Sequence, residues 1–277
     1  MVSNTHHDLV DVHAATSSRR YVAELWERRG YVWYVAHSAL RQRQAGTVFG
    51  NFWHLLNPAL SIAVYYLIFG KILGTDRGVN NFLVFLAVGL FVFQFTQRSV
   101  TQGAQSIIMN RGLVRAIRFP RALLPISVTL TETIATMPTF AVAYAVALLL
   151  GEPIRWTWAL FPLIGLWQAC FNLGAAMIAA RITTHFRDTQ QFLPFFFRLL
   201  LYGSGVIFSV EEFVGDRGLE LLFVANPMYG FISIARWAIM GTSVAPDVVI
   251  ATAAWTIVLF VGGFFWFKAA EGEYHRV

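Results

Sequence analysis

The stretch YVWYVAHSALRQRQAGTVFGNFWHLLNP, residues 31–58, determines how the chain meets a membrane. Read as a helix, its first half places Val32 and Ala36 on an apolar face and His37 and Arg41 on a polar face. A helix with an apolar face and a polar, cationic face tends to lie in the membrane interface. The second half becomes an apolar run. The stretch predicts an interface helix that leads into a first span; the alternative is a juxtamembrane helix that only orients that span.

The composition is that of a membrane protein. Of the 277 residues, 57% are apolar and 13% are charged, whereas soluble domains carry about 25% charged residues. The net charge of +6 therefore indicates topology and lipid contact rather than nucleic-acid binding. The single cysteine, Cys170, excludes both an intrachain disulfide and a cysteine-based metal cluster.

Apolar segments predict an all-α polytopic membrane protein. A helix needs about 20 apolar residues to cross the hydrocarbon core. Six spans are predicted, at residues of about 49–73, 80–101, 122–150, 156–180, 192–208 and 248–267. Within residues 211–240, the part from 219 onward is apolar but interrupted at Asn226-Pro227 and Gly230. Each piece is too short to cross, so two re-entrant half-helices are expected there.

The flanking segments complete the predicted organisation. Residues 1–18 read as a disordered cytoplasmic tail, 19–48 as a cytoplasmic interface region, 49–268 as the transmembrane domain and 269–277 as a cytoplasmic tail. With six spans, 15 of the 21 basic residues fall on the cytoplasmic side. This bias predicts that both termini are cytoplasmic. A seventh crossing would instead place the C-terminus outside.

A second informative stretch, GAQSIIMNRGLVRAIRFPRALLP, follows the second span at residues 103–125 and holds four arginines and no acid. Asn110 is predicted to cap a short helix over residues 111–117, which Pro120 would end. Leu113 and Ile117 would share one face. A short basic helix between two spans is suited to docking in a groove of a soluble partner. The alternative is a loop that only follows the positive-inside rule.

Familiar catalytic motifs are absent from the sequence. It contains no G-x-x-x-x-G-K-[ST] phosphate loop, no H-E-x-x-H and no G-x-S-x-G. Glu132 is the one acid deep in a span, where it could serve as a proton relay or as a structural carboxyl bonded to threonine or to Arg198. The cluster of His185, Arg187 and Asp188 reads as a solvated turn, or as the site of a membrane glycosyltransferase or acyltransferase.

Aromatic residues are concentrated in the first and fifth predicted spans. Such side chains face lipid, or they line a path in which a saccharide slides over smooth rings. The composition alone is compatible with both.

Four segments, in their order and spacing, resemble the transmembrane subunit of ABC-2-type polysaccharide exporters, the Wzm-like permeases of O-antigen, teichoic acid and mycobacterial galactan export. The segments are residues 41–58; Asn110 and Leu113 with Phe119-Pro120-Arg121 and Pro125; Phe186-Arg187-Asp188; and Ala225-Asn226-Pro227-Met228-Tyr229 with Arg236. The resemblance covers residues 19–267. Gln44 and Ala45 depart from the family's first motif. The arginine bias and the polar N-terminal tail favour a galactan-type exporter.

The resemblance implies an ABC-2 (type V) exporter fold in the bacterial cytoplasmic membrane. Two copies of this chain would form a pore, lined by spans one and five, above two copies of a separate ATPase. The chain would not be an enzyme and would bind no cofactor, because ATP and magnesium would lie on the ATPase. The substrate would be a polysaccharide on a polyprenyl diphosphate, and the other contacts would be membrane lipids and no nucleic acid.

The resemblance also implies residue roles. The substrate channel would be lined by Phe49, Trp53, Tyr65, Tyr66, Phe195, Phe196 and Tyr202. Arg41 and Arg43 would guide the diphosphate, because the arginine fork suits phosphate. A coupling helix at residues of about 106–118 would contact the ATPase through Asn110, Arg111, Leu113, Val114, Arg115 and Arg118. An ABC-2 exporter of drugs or lipids and a proton-coupled transporter using Glu132 stay open as alternatives.

Overall fold

The computed structural model describes residues 17–44, 53–72, 74, 79, 81–117, 119–210 and 220–274. Within these ranges the chain is helical and contains no strand, which confirms the all-α expectation. The predicted site residues Phe49 and Arg118, most of the N-terminal tail and residues 211–219 of the predicted hairpin lie outside the described residues.

The helices follow one another with short connections. In chain order they are α1 (Ser18–Glu27), α2 (Arg29–Gln44), α3 (Trp53–Tyr65) continued by π-helical turns (Tyr66–Ile72), α4 (Phe82–Met109), α5 (Arg111–Ala116), α6 (Leu123–Leu149), a 3₁₀ turn (Trp156–Leu160) leading into α7 (Phe161–His185), α8 (Thr189–Tyr202), α9 (Glu220–Val224), α10 (Pro227–Met240), and α11 (Pro246–Ile257) continued by π-helical turns (Val258–Gly262) into α12 (Gly263–Ala269).

Four helical segments of the described chain are long and apolar enough to cross a membrane. They are Phe82–Met109, Leu123–Leu149, Trp156–His185 and Pro246–Ala269, which correspond to the second, third, fourth and sixth predicted spans. The first span contains the shorter apolar helix Ala59–Ile72. Helix α8, in the fifth, has 14 residues, about 21 Å, against a hydrocarbon core of about 30 Å. The number of crossings stays a prediction.

Helix α4 is the centre of the bundle. It packs against α6 and α7 along most of its length, and 19 of its 28 residues are buried. A helix that is apolar all round is expected in such a central position. It extends to Met109, eight residues past the predicted end of span two.

A ladder of polar side chains joins α4 to α7 inside the bundle. Gln168 Nε2 donates to the carbonyl of Val92 at 2.7 Å and to Thr96 Oγ1 at 2.8 Å. Thr96 Oγ1 in turn donates to Asn172 Oδ1 at 2.6 Å. In a membrane, apolar side chains pack against lipid about as favourably as against another helix, so hydrogen bonds between helices help to hold the bundle together. The ladder therefore fixes the register of the two central helices.

The predicted half-helix before the last span is present as α10. Asn226 caps it, accepting a hydrogen bond from the amide of Met228 at 2.9 Å, and Gly241 ends it with a left-handed φ of 72°. The side chains of Thr157 and Trp158 donate to the carbonyls of its last turn, at Ala238 and Ile239. These partners satisfy carbonyls that a helix end leaves unpaired.

Arg236 of α10 supports the irregular segment that follows α8. Its guanidinium donates to the carbonyls of Phe85, Gly205 and Val206 at 3.2, 2.9 and 2.9 Å. Helix α8 ends at Gly203, so the backbone beyond it has no helical partners. Irregular backbone at membrane depth is tolerated only when protein groups satisfy it. Arg236 is only 5% exposed, and its guanidinium satisfies these backbone carbonyls.

Candidate functional site

Helix α8 presents an aromatic face that the other described residues of this chain leave exposed. Leu193, Phe197 and Leu201, spaced four residues apart, point into the bundle and are buried. The Phe197 ring meets Phe93 of α4 edge-on at 6.1 Å. Three predicted channel residues lie away from this buried stripe: Phe195 is 63% exposed, Phe196 40% and Tyr202 51%. The amphipathic helix therefore separates packing residues from residues available to a ligand or a partner.

The predicted channel residues of α3 divide into two groups. Tyr65 stacks on Phe69 at 5.9 Å and lies within electrostatic range of Tyr202 and Arg198 of α8. Tyr66 instead contacts Phe82 of α4, with ring centroids 6.4 Å apart. Tyr65 is thus within electrostatic range of α8, whereas Tyr66 packs against α4. Trp53, at the start of α3, is partly exposed.

Arg43 forms an ion pair with Glu132. Arg43 Nη2 lies 2.5 Å from Glu132 Oε1, and the two side chains are 41% and 1% exposed. Arg98 of α4 interacts electrostatically with both. Among the partners considered for Glu132, Arg198 is therefore not the one observed. A buried membrane carboxylate is costly unless paired, so this pair gives Glu132 a structural partner and ties α2 to α6.

The position of α2 explains this pairing. Val32 and Ala36, from the predicted apolar face, are buried, and α2 packs along α6. Arg41 is exposed on the same turn that directs Arg43 to Glu132. Both predicted diphosphate-guiding arginines are thus exposed, and Arg43 is in addition engaged with an acid. The sequence shows both charged residues of this pair, but it does not indicate that they form a contact, because they lie 89 positions apart.

Helix α5 is the predicted coupling segment, and it is shorter than expected. The chain breaks at Asn110, so residues 106–109 belong to α4 and α5 spans Arg111–Ala116. The Asn110 side chain makes no capping bond to α5, which corrects the predicted cap. Its Nδ2 atom donates to the carbonyl of Ser106 at 2.8 Å instead. An amide can satisfy the last carbonyls of one helix as readily as the first amides of the next.

The two faces of α5 differ in exposure. Val114 is buried and Leu113 half-buried, and both pack into an apolar cluster with Tyr21 and Tyr274. Arg111 and Arg115 are exposed, as is Ile117 just beyond the helix. Leu113 and Ile117 therefore do not share an exposed face. The surface open to a partner is basic, with one apolar residue at its edge.

A hydrogen-bonded cluster under α5 joins the two ends of the described chain. Glu271 Oε1 accepts from the Tyr21 hydroxyl at 3.1 Å and from the Arg121 amide at 2.8 Å. Burial raises the pKa of the Glu271 carboxyl, although the Arg121 amide and the Tyr21 hydroxyl oppose that rise. Burial also raises the pKa of Tyr21, and the charge of Glu271 adds to it. The cluster anchors the segment that leaves α5 to α1 and to the residues after α12.

The turn between α7 and α8 offers no constellation for catalysis in the described residues. His185 Nε2 lies 3.1 Å from Glu273 Oε2, and its Nδ1 atom lies 3.0 Å from the carbonyl of Arg181. Arg187 and Asp188 are exposed. Throughout the residues described, no group of three histidine, cysteine or acidic side chains could hold a metal ion. The contacts of His185 instead join α7 to the C-terminal segment.

Comparison with known proteins gives consistent findings. A family model described as "ABC-2 type transporter" matches residues 31–240. The "O-antigen export system permease protein RfbA" of Myxococcus xanthus is 28% identical over 257 residues, which cover 92% of this chain and 98% of that protein. A protein of the same name from Klebsiella pneumoniae is 28% identical over 200 residues, covering 72% of this chain and 75% of that protein.

The ion pair between α2 and α6 leads to a stability prediction. Arg43→Gln leaves the Glu132 carboxylate buried without its cation, and we expect a loss of about 1–3 kcal/mol in unfolding free energy. Adding Glu132→Gln should recover part of this loss. Thermal unfolding of the purified protein in detergent measures both changes. Arg41→Gln, two residues away and exposed, is the control; equal losses for Arg41→Gln and Arg43→Gln would contradict the pairing.

The raised pKa of Glu271 leads to a prediction of pH dependence. A carboxyl whose pKa is raised on folding contributes stability below its unfolded pKa and loses it as pH rises through its folded pKa. Glu271→Gln keeps the Oε1 acceptor but does not titrate. The unfolding midpoint of the parent chain, relative to that of Glu271→Gln, should therefore fall as pH rises from about 4.5. Parallel profiles for the two proteins would show that Glu271 does not titrate differently on folding.

Proposed function

Because this chain belongs to the ABC-2 type transporter family, we propose that it is the permease of a system that exports a polysaccharide. The family match places a transport role on the chain, and four long apolar helices make it a multi-pass membrane protein. The relatives named for O-antigen export support a glycan substrate. Among such glycans we include teichoic acid and galactan, and we propose a polyprenyl diphosphate as the lipid carrier.

The observation that carries this proposal is the uncovered aromatic face of α8. Phe195, Phe196 and Tyr202 stand away from the core of their own chain, and Tyr65 of α3 approaches the same face. Two copies of the chain with these faces opposed would enclose a path lined by rings. Aromatic faces stack on sugar rings without fixing one position, which suits a polymer that must keep moving. The proposed unit is therefore a homodimer.

A separate ATPase, in two copies, would drive the movement from the cytoplasm and hold ATP and magnesium. We propose that α5 seats in a groove of that ATPase through Arg111 and Arg115, with Leu113 and Val114 holding the helix to the bundle. Arg118 and Asn110 would flank the contact. Both termini of the chain would then lie on the cytoplasmic side of the bacterial membrane.

The diphosphate would approach beside α2. Arg41 is exposed there and can present its fork to phosphate, while Arg43 would have to share its guanidinium between the ligand and Glu132. A drug or lipid exporter of the same family would share this architecture. Depletion of the chain separates the two functions, because only a glycan exporter leaves a lipid-linked glycan accumulating inside the cell.

Co-purification tests the role of α5. The tagged chain, extracted gently from its native membrane, should bring down an ATPase with measurable activity. Arg111→Glu with Arg115→Glu reverses two exposed charges and should lower ATPase recovery about tenfold, equivalent to 1.4 kcal/mol. Arg187→Glu, at an exposed arginine of the neighbouring turn, is the matched control. Recovery unchanged by the double reversal would remove α5 from the interface, and a chain recovered without any ATPase would overturn the proposed function.

Cysteine labelling tests the lining of the path. In a Cys170→Ser background, cysteines at Phe196 and Tyr202 should react with a charged, membrane-impermeant maleimide, because a path for glycan contains water. A cysteine at Ile250 of α11, 69% exposed on a helix outside this face, should react only with an apolar maleimide. If positions 196 and 202 behave like position 250, α8 faces lipid and the proposed lining is wrong.

A further inference from the structure

We propose that Arg198, with the hydroxyls of Tyr65 and Tyr202, forms a binding site for an oxyanion part-way along the export path. The ligand class is a phosphate or carboxylate carried by the exported molecule. The inference rests on the proposed function, because it takes the uncovered face of α8 to line that path.

The depth of Arg198 is the first argument. The predicted fifth span, residues 192–208, carries Arg198 near its middle, as the seventh of its 17 residues. Arginine at the centre of a lipid-exposed helix costs about 2.5–3.5 kcal/mol in insertion measurements. A residue with this cost faces water, protein or a bound anion.

The second argument is that Arg198 is exposed and makes no ion pair with any described residue. It lies four residues before Tyr202, on a flank of α8 about 100° from the buried stripe. Glu132, the in-span acid, is bound to Arg43. Glu152, three residues past the end of α6, is bound to Arg155 at 3.8 Å. Arg236 of α10 is by contrast fully engaged with carbonyls.

The third argument is the chemistry of the neighbours. Tyr65 lies within electrostatic range of both Arg198 and Tyr202. A guanidinium has five N–H donors and no acceptor, and each phenol adds one O–H donor. A cation surrounded by donors is best satisfied by an acceptor-rich anion, and the arginine fork matches the paired oxygens of phosphate or carboxylate. Aromatic rings on both sides of Arg198, at Phe195 and Tyr202, would flank the attached sugar or lipid.

Two parts of an exported molecule carry such oxygens: the diphosphate of a lipid carrier and the acidic sugars of a glycan. Two probes separate them. The first is farnesyl diphosphate, compared with farnesol, which has the same chain without the charge. The second is a hyaluronan tetrasaccharide, which carries carboxylates, compared with the neutral maltotetraose.

The experiment measures binding of radiolabelled probes to the chain with its ATPase in nanodiscs. We expect one charged probe to bind more tightly than its neutral counterpart. Arg198→Gln should weaken that binding at least about tenfold, as expected for loss of a charge-assisted hydrogen bond. The affinity of Arg198→Lys should lie between those of the parent chain and Arg198→Gln, because lysine keeps the charge but lacks the forked guanidinium. Arg187→Gln, in the exposed turn before α8, should leave affinity unchanged.

The outcomes are distinct. Preference for farnesyl diphosphate assigns the site to the lipid carrier, and preference for the acidic tetrasaccharide assigns it to the glycan. Equal affinity of Arg198→Gln and the parent chain, or no preference for either charged probe, overturns the site. If Arg198→Gln loses its fold, Arg198→Lys decides alone. Suppose that Arg198→Gln co-purifies with ATPase, exports glycan and binds the probes as the parent chain does. That result would exclude this site and leave the proposed function standing.

Discussion

The hydrogen bonds of Arg236 to three backbone carbonyls are the interaction on which the irregular segment after α8 depends. A helix that ends at membrane depth exposes carbonyls and amides that lipid cannot satisfy. Arg236 supplies donors to the segment after α8 and to Phe85 of α4, while Asn226 donates to the carbonyl of Gly203 at 3.0 Å. Helix α10 and its N-cap thus interrupt the apolar pattern of the sequence. Their side chains, Arg236 and Asn226, also supply the hydrogen bonds that stabilise the irregular backbone beside them.

Two separate clusters of buried residues divide the molecule along its length. The larger includes residues of α4, α7 and α10, and the smaller joins α1, α5 and the residues after α12. Polar contacts between helices add to this packing: the Gln168–Thr96–Asn172 ladder holds α4 to α7, and the Arg43–Glu132 pair holds α2 to α6. Helices α4 and α6 contribute residues to both clusters, so they connect the packing around α5 to the larger cluster.

The sequence predicts well what depends on local pattern. The long apolar runs of α4, α6, α7 and α11–α12 are helices, and the segment marked by Asn226 and Pro227 begins a helix at Pro227. It predicts poorly what depends on contacts between distant positions. Asn110 has the residue type of a cap for the following helix, but it bonds backward to Ser106 because α4 continues farther than its hydropathy suggested. Neither the Arg43–Glu132 pair nor the Gln168 ladder has a local signal, because each joins residues more than 70 positions apart.

The Tyr21–Glu271–Arg121 cluster has a consequence for biogenesis. The segment that leaves α5 rests on a carboxylate 150 positions later in the chain, and on the side chain of Tyr274, which is itself buried in the same cluster. During synthesis, the early spans enter the membrane while this support does not yet exist. The packing around α5 is completed only when the ribosome has passed residue 274. The order of translation therefore delays the final support of α5 until the last helix has been made.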